Sequence, residues 1–264
     1  MPIDIGANLA HASFSHDLDA VIRNAISAGV HCMIVTGSCK ESSLAALDLA
    51  RRYRGTLFAT AGVHPHMASS LDDACMNVIR ECAEQPEVVA IGEMGLDYHR
   101  NYSPRANQDE AFERQLELAT GFQKPLFLHQ RDAHQRFLEI LKPCRDHFSA
   151  AVAHCFTGTE QEMKDYLDLD LHIGITGWIC DERRGHHLRE FIHQIPADRL
   201  MIETDAPYLL PRDLDLKPKQ RRNEPKYLPH ILQTVADAVG KPIEQVREET
   251  TRTTRAFFKL KEPC

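Results

Sequence analysis

Eight short apolar runs recur along this chain, each followed by a stretch of helical period, and that alternation limits the fold more than any other feature. The runs lie near Ile3–Ile5, Cys32–Thr36, Leu57–Gly62, Val88–Gly92, Pro125–His129, Ala150–His154, Leu171–Ile175 and Leu200–Thr204. They are strand-length and mostly β-branched or aromatic, as strands buried on both faces are. Between the first two, Leu18, Val21, Ile22, Ala25 and Ile26 form an i, i+3, i+4, i+7, i+8 stripe, with Gly29 placed to end the helix. Leu228, Ile231, Leu232, Val235 and Val239 repeat the pattern before Gly240. Further helices fit Ser42–Tyr53, Asp72–Gln85, Gln108–Thr120, Ala133–Leu141, Glu160–Leu167 and Leu188–Gln194, and a last one near Ile243–Phe258 is expected to pack on the outside. Strands alternating with helices pair in parallel, because each crossover needs a helix. Eight such units close into an α/β fold of the (β/α)8 TIM-barrel type. The competing arrangement is an open doubly wound sheet. No G-x-G-x-x-G follows the first run, which removes its usual dinucleotide-binding form.

The 264 residues suit one barrel domain over 1–264. A net charge of −7 argues against coating nucleic acid through a broad basic surface. It leaves room for basic residues gathered around one cleft. The N-terminus has no signal-peptide pattern, and no apolar stretch approaches the roughly 20 residues of a membrane helix, so a cytoplasmic protein without membrane contact is expected. With no apolar interface patch evident, a monomer is the expected state. The cysteines at 32, 39, 75, 82, 144, 155, 180 and 264 form no C-x-x-C pair, and reduced thiols are expected, Cys155 lying beside the candidate site.

The polar residues that end the apolar runs carry the chemistry. Five of the runs deliver His64, Glu93, His129, His154 and Asp205 at their C-terminal ends. In a barrel those ends converge on the face where active sites sit. Carboxylates and imidazoles meeting there are the N and O donors of a hydrolytic divalent metal site, with a position left for water or substrate. One histidine after a strand is ordinarily structural, whereas five such groups in register are not. Histidines 11, 16, 31, 99, 147, 186, 187 and 193 are expected at the surface. Arg131, Arg183, Arg184, Arg212, Lys217, Lys219, Arg221, Arg222 and Lys226 would supply positive charge around the cup. Arg131 is placed to hold a phosphate oxygen; the lysines fit a solvated loop equally well. Trp178 and Tyr208 on the same rim either stack bases or pack as ordinary aromatics.

The stretches GVHPH at 62–66, IGEMGLDY at 91–98, HQRDAH at 129–134, HCFTG at 154–158, ETDAPYLLPR at 203–212 and RRNEP at 221–225 together resemble the TatD-type deoxyribonucleases. These are a branch of the metal-dependent, amidohydrolase-like barrels. GITGWICDERRG at 174–185 extends the likeness to the subgroup described as 3′–5′ exonucleases on single-stranded DNA and RNA. The resemblance implies a Mg2+-dependent nuclease, with Mn2+ or Zn2+ as alternatives, and a role in DNA repair or RNA turnover. It implies metal ligation by Glu93, His129, His154 and Asp205. Glu93 and Asp205 would be catalytic, Asp205 as ligand, as general base to the attacking water, or both. His64, His66, Arg131, Arg221 and Asn223 would contact substrate, and Asp97 would orient imidazoles. One departure stands out: many members carry D-x-H-x-H in the first strand, and this chain reads Asp4-Ile5-Gly6-Ala7-Asn8. The loss of both histidines leaves more oxygen character, which favours one well-defined metal and Mg2+ or Mn2+ over tightly held Zn2+. Two other functions fit the same residues. One is a metal-dependent amidase, lactonase or aminoacyl-RNA deacylase; the other is a non-catalytic binding barrel.

Overall fold

The structure, a computed structural model, describes residues 1–215 and 221–261; Lys217, Lys219 and Cys264 lie outside the described residues. Its strands are β1 (Ile3–Ala7), β2 (Cys32–Val35), β3 (Leu57–Ala61), β4 (Val88–Asp97), β5 (Leu126–Arg131), β6 (Ala151–Ala153), β7 (Leu171–Ile175) and β8 (Leu200–Ile202). They form one eight-stranded sheet in sequential order, with each consecutive pair parallel. The sheet closes at β8 and β1. Ala7 bridges Ala206, the Asp205 N–H donates to the Gly6 carbonyl at 2.8 Å, and the Asn8 N–H donates to the Ala206 carbonyl at 2.6 Å. The expected barrel is present.

Helices α1 (Leu18–Ser27), α2 (Lys40–Arg52), α3 (Asp73–Ala83), α4 (Arg105–Ala119), α5 (His134–Leu141), α6 (Glu160–Asp168), α7 (His186–Phe191), α8 (Leu228–Val239) and α9 (Ile243–Phe258) follow the strands. Their stripes bury as read: Val21, Ile22 and Ala25 of α1, and Ile231, Leu232 and Val235 of α8, are in the core. Among the described residues, no helix is long and apolar enough to cross a membrane.

Two features differ from the expectation. First, β4 does not stop at Gly92. It runs to Asp97, pairing Met94 with Leu128, Gly95 with His129 and Asp97 with Arg131, so Glu93 and His129 lie within strands and not at their ends. Apolar runs mark buried side chains, whereas the hydrogen-bond ladder continues through polar ones. Gly95 makes this possible: its φ is +143°, and a Cβ there would stand 1.9 Å from the His129 carbonyl oxygen. Second, α9 is more than an outer helix. Phe257 and Phe258 join Ile5, Phe127, Val152 and Met201 in one buried cluster, and Lys259 Nζ donates to the carbonyl of Gln123, just ahead of β5. The end of α9 therefore closes the barrel's N-terminal mouth.

Candidate active site

At the opposite mouth, a cavity of about 800 Å3 opens over the strand ends. Its centre is one carboxylate oxygen. Glu93 Oε1 lies 2.7 Å from His154 Nε2, 3.1 Å from His129 Nδ1 and 3.3 Å from His64 Nε2. Four successive segments supply these groups: the turn after β3, then β4, β5 and the end of β6. Among the described residues no Lys or Arg forms an ion pair with Glu93.

The three imidazoles are not equivalent. A second carboxylate backs two of them: Glu203 Oε2 is 3.3 Å from His154 Nδ1, and Asp97 Oδ2 is 3.7 Å from His129 Nε2. An imidazole whose far nitrogen faces a carboxylate keeps its proton there and turns a lone pair forward, as metal-ligating histidines do. His64 is held the other way. Its Nδ1 accepts the His66 N–H at 3.0 Å, so neutral His64 carries its proton on Nε2 and points it at Glu93. His64 thus presents a donor to Glu93, while His129 and His154 are the imidazoles that could hold a metal.

Burial pushes the Glu93 carboxyl up, but the His64 and His154 imidazoles and the hydrogen bonds from His129 and His154 outweigh it and hold Glu93 well below the usual carboxylate range. Burial alone would lower His154; Glu93 and Glu203 on either side hold it well above an ordinary imidazole. Burial dominates at His64, which falls to about 4, and at Asp205, which rises to about 7 against the pull of His154. The donor set fits a divalent cation: His129 Nδ1 and His154 Nε2 converge on one Glu93 oxygen, and among the described residues that carboxylate is neutralised only by imidazoles. A cation there would displace the proton that His154 otherwise carries.

The first-strand departure has a steric explanation. A Cβ on Gly6 would stand 2.3 Å from Glu203 Oε2, so the space a first-strand side chain would fill belongs to the Glu203 carboxylate. Asn8 Nδ2 donates to Asp205 Oδ1 at 3.0 Å and steadies that carboxylate, whose backbone is left-handed at φ 55°. Glu203 is fully buried and also accepts the Cys155 N–H. It was not among the expected site residues, although it stands two positions before Asp205, where strand alternation turns residues to one side. Asp4, also buried, takes the Thr204 N–H at 2.9 Å and ties β1 to β8.

The other expected residues divide. His66 and Arg131 line the cup, as does Arg221; His66 Nε2 is 2.7 Å from Asp97. Asn223 does not reach the cup. It is fully buried, its Nδ2 donates to the Thr204 carbonyl and its Oδ1 accepts the Glu224 N–H, so it braces the loop after β8. Much of the rim charge is already paired. Arg222 is held by Asp17 and Glu224, Lys226 by Glu224, and Arg183, Arg184 and Arg212 all approach Asp181. Trp178 carries the Arg184 guanidinium over its ring at 4.3 Å and lines the cup, as does half-exposed Tyr208. Tyr102 and Arg100 also line it, without any signal in the sequence. His99 and His187, expected as plain surface residues, line a smaller cavity beside it. A second donor group, Cys180, Asp213 and His230, lies away from the cup; there His230 and Arg189 already occupy the two Asp213 oxygens.

Fold and centre together define a barrel hydrolase with an imidazole–carboxylate cluster at its C-terminal mouth. The family model for TatD related DNase matches residues 3–259, and the chain belongs to that family of hydrolases that cut phosphodiester bonds. The chain is 51% identical over 255 residues to the 3′-5′ ssDNA/RNA exonuclease TatD of Klebsiella pneumoniae, covering 97% of each chain. It is 52% identical over 262 residues to the protein of the same name in Cronobacter turicensis, covering 99% of each. Among solved structures, it is similar to the TatD homolog YjjV of Escherichia coli K12, with a TM-score of 0.89 and 27% identity over 98% of both chains. A TatD-family hydrolase of Entamoeba histolytica matches with a TM-score of 0.88 and 27% identity over 97% of both.

Proposed function

We propose that this protein is a divalent-metal-dependent 3′–5′ exonuclease acting on single-stranded DNA and RNA, the activity its bacterial relatives are named for. The observation that carries the reading is the pair of carboxylate-backed imidazoles, His129 and His154, aimed at one Glu93 oxygen beside Asp205. Glu93, His129, His154 and Asp205 would hold the cation. The absence of first-strand imidazoles gives the ligation more oxygen character, which favours Mg2+, with Mn2+ next and Zn2+ least. When bound, such a cation acidifies water and screens phosphate charge. Asp205, its carboxyl near neutrality, accepts the proton of the attacking water. His64 donates its Nε2 proton to an oxygen at the centre. Arg131 and Arg221 bind phosphate oxygens, and Tyr208 offers a face to a base. Trimming strand ends would serve DNA repair or RNA turnover. A monomer suits the surface: of the five exposed large apolar side chains among the described residues, Met67, Tyr102 and Tyr208 line the cup itself.

The test is digestion of 5′-end-labelled single-stranded DNA and RNA by EDTA-stripped protein with Mg2+ or Mn2+ restored, alongside a Glu93→Ala/His129→Ala control. Stepwise shortening from the 3′ end that needs metal and vanishes in the control is expected. No cleavage by fully metal-loaded protein would overturn the reading in favour of an ester or amide hydrolase.

A further inference from the structure

We infer that the smaller cavity beside the centre seats the 3′-terminal nucleoside of the strand, and that its acidic wall selects a free 3′-hydroxyl over a 3′-phosphate. The inference rests on the exonuclease reading and adds which end chemistry the enzyme accepts.

The cavity measures about 300 Å3 and lies between the segments that follow β5, β6 and β7. Its size is at the lower bound of ligand pockets, enough for one nucleoside and not for two. It joins the main cup through Gln130, Arg131, His154, Thr157 and Trp178, which line both. A strand lying in the main cup therefore meets the centre at this junction and has a one-nucleoside space beyond it. The floor is aromatic and buried, with Phe156 at 4% and Tyr166 at 1% exposure. Trp178 stands at the side, and flat apolar walls of this kind take any base. Arg131 sits where the linking phosphate would pass, and among the described residues its guanidinium has no ion-pair partner.

Beyond the junction, among the described residues, no further arginine or lysine lines the cavity, and two carboxylates do. Glu162 and Asp132 line this cavity and not the main cup. Glu162 is fixed in place: its Oε2 accepts the Thr159 N–H at 2.6 Å in a capping box at the start of α6. Asp132 is 2.8 Å from His99 Nδ1. A terminal nucleoside with a free hydroxyl brings no charge to this wall. A 3′-phosphate, or a strand continuing past the terminal nucleoside, sets phosphate charge against carboxylate, and such like-charge contacts cost heavily in a partly desolvated site. The same wall accounts for attack at an end and not within a strand.

Two measurements on the Mg2+-loaded enzyme test this. Trp178 is the only tryptophan in the chain. Titrating a nucleoside 5′-monophosphate should change its fluorescence, and inorganic phosphate at equal concentration should not. In parallel, kcat/KM is compared for one oligonucleotide bearing a 3′-hydroxyl or a 3′-phosphate, in wild type and in Glu162→Gln, which keeps the capping side chain. We expect a preference of roughly tenfold or more for the hydroxyl end, reduced several-fold in the variant. Hydrolysis of bis(p-nitrophenyl) phosphate, which carries no nucleoside, should be unchanged by the substitution. Equal cleavage of both ends by wild type, a preference untouched by Glu162→Gln, or a silent Trp178 would overturn the inference. Hydrolysis of the small diester with no strand shortening would instead overturn the exonuclease reading on which it rests.

Discussion

At one mouth of the barrel, Phe257 and Phe258 close over Ile5, Phe127, Val152 and Met201; at the other, Glu93, Glu203 and His154 are buried, with Asp205, His64 and His129 half-buried around them. Phe127 touches both, packing in the floor cluster while its ring stacks on His154 at 4.5 Å between centroids. The floor removes apolar surface from water and stabilises the fold. The cup does the reverse, since carboxylates taken out of water without matched cations cost several kcal/mol each. One end of the fold therefore carries the stability that the other uses for chemistry.

The sharpest way to break this contrast is Asp205→Asn. Turnover of labelled strand should fall by about a thousandfold or more while binding changes less, and the melting temperature should hold or rise, because a half-buried carboxylate leaves an acidic cluster. A clear loss of stability would show that Asp205 also supports the fold. Next is Phe257→Ala, which should cost about 3–5 kcal/mol in urea unfolding and leave kcat unchanged. A matching fall in kcat would mean that floor and cup are coupled through Phe127. Arg131→Ala should raise KM for oligonucleotides roughly tenfold with little change in kcat, as expected for a phosphate contact made equally in ground and transition states. Arg131→Lys should recover that only in part, since a lysine lacks the planar fork.

The smallest effect belongs to the rim. Hydrogen bonding from Arg222 holds the Asp17 carboxyl below its ordinary range. A carboxyl whose folded pKa is depressed adds stability above its unfolded value, near 4, and that stability is lost as pH falls through the lowered folded value. Asp17→Asn should therefore remove under about 1 kcal/mol at pH 7 and flatten the acid limb of the stability profile. An acid limb identical in variant and wild type would show that the pair adds nothing.

The sequence showed the barrel and most of the centre, because a charged residue ending an apolar run is a local signal. His64, Glu93, His129, His154 and Asp205 were legible in that way, one strand at a time. What stayed hidden depends on neighbours far along the chain. Glu203 carries no mark of its own beside Asp205, and its fit is set by the missing side chain at Gly6 across the β1–β8 seam. The stripe on α9 showed that a face would be buried without showing that it meets the barrel floor. The arginines after β7 and β8 read as a phosphate-binding rim, yet Arg183, Arg184 and Arg212 share Asp181, and Asn223 turns inward to the backbone of Thr204.

The seam between β1 and β8 also bears on synthesis. Asp205 reaches its place only when its N–H meets the Gly6 carbonyl and Asn8 meets its side chain, contacts that join the start of the chain to a segment about two hundred residues later. A ribosome making this protein emits all eight strands before the carboxylate that completes the centre. The nascent chain thus lacks a part of its centre until the segment that follows the last barrel strand has been made.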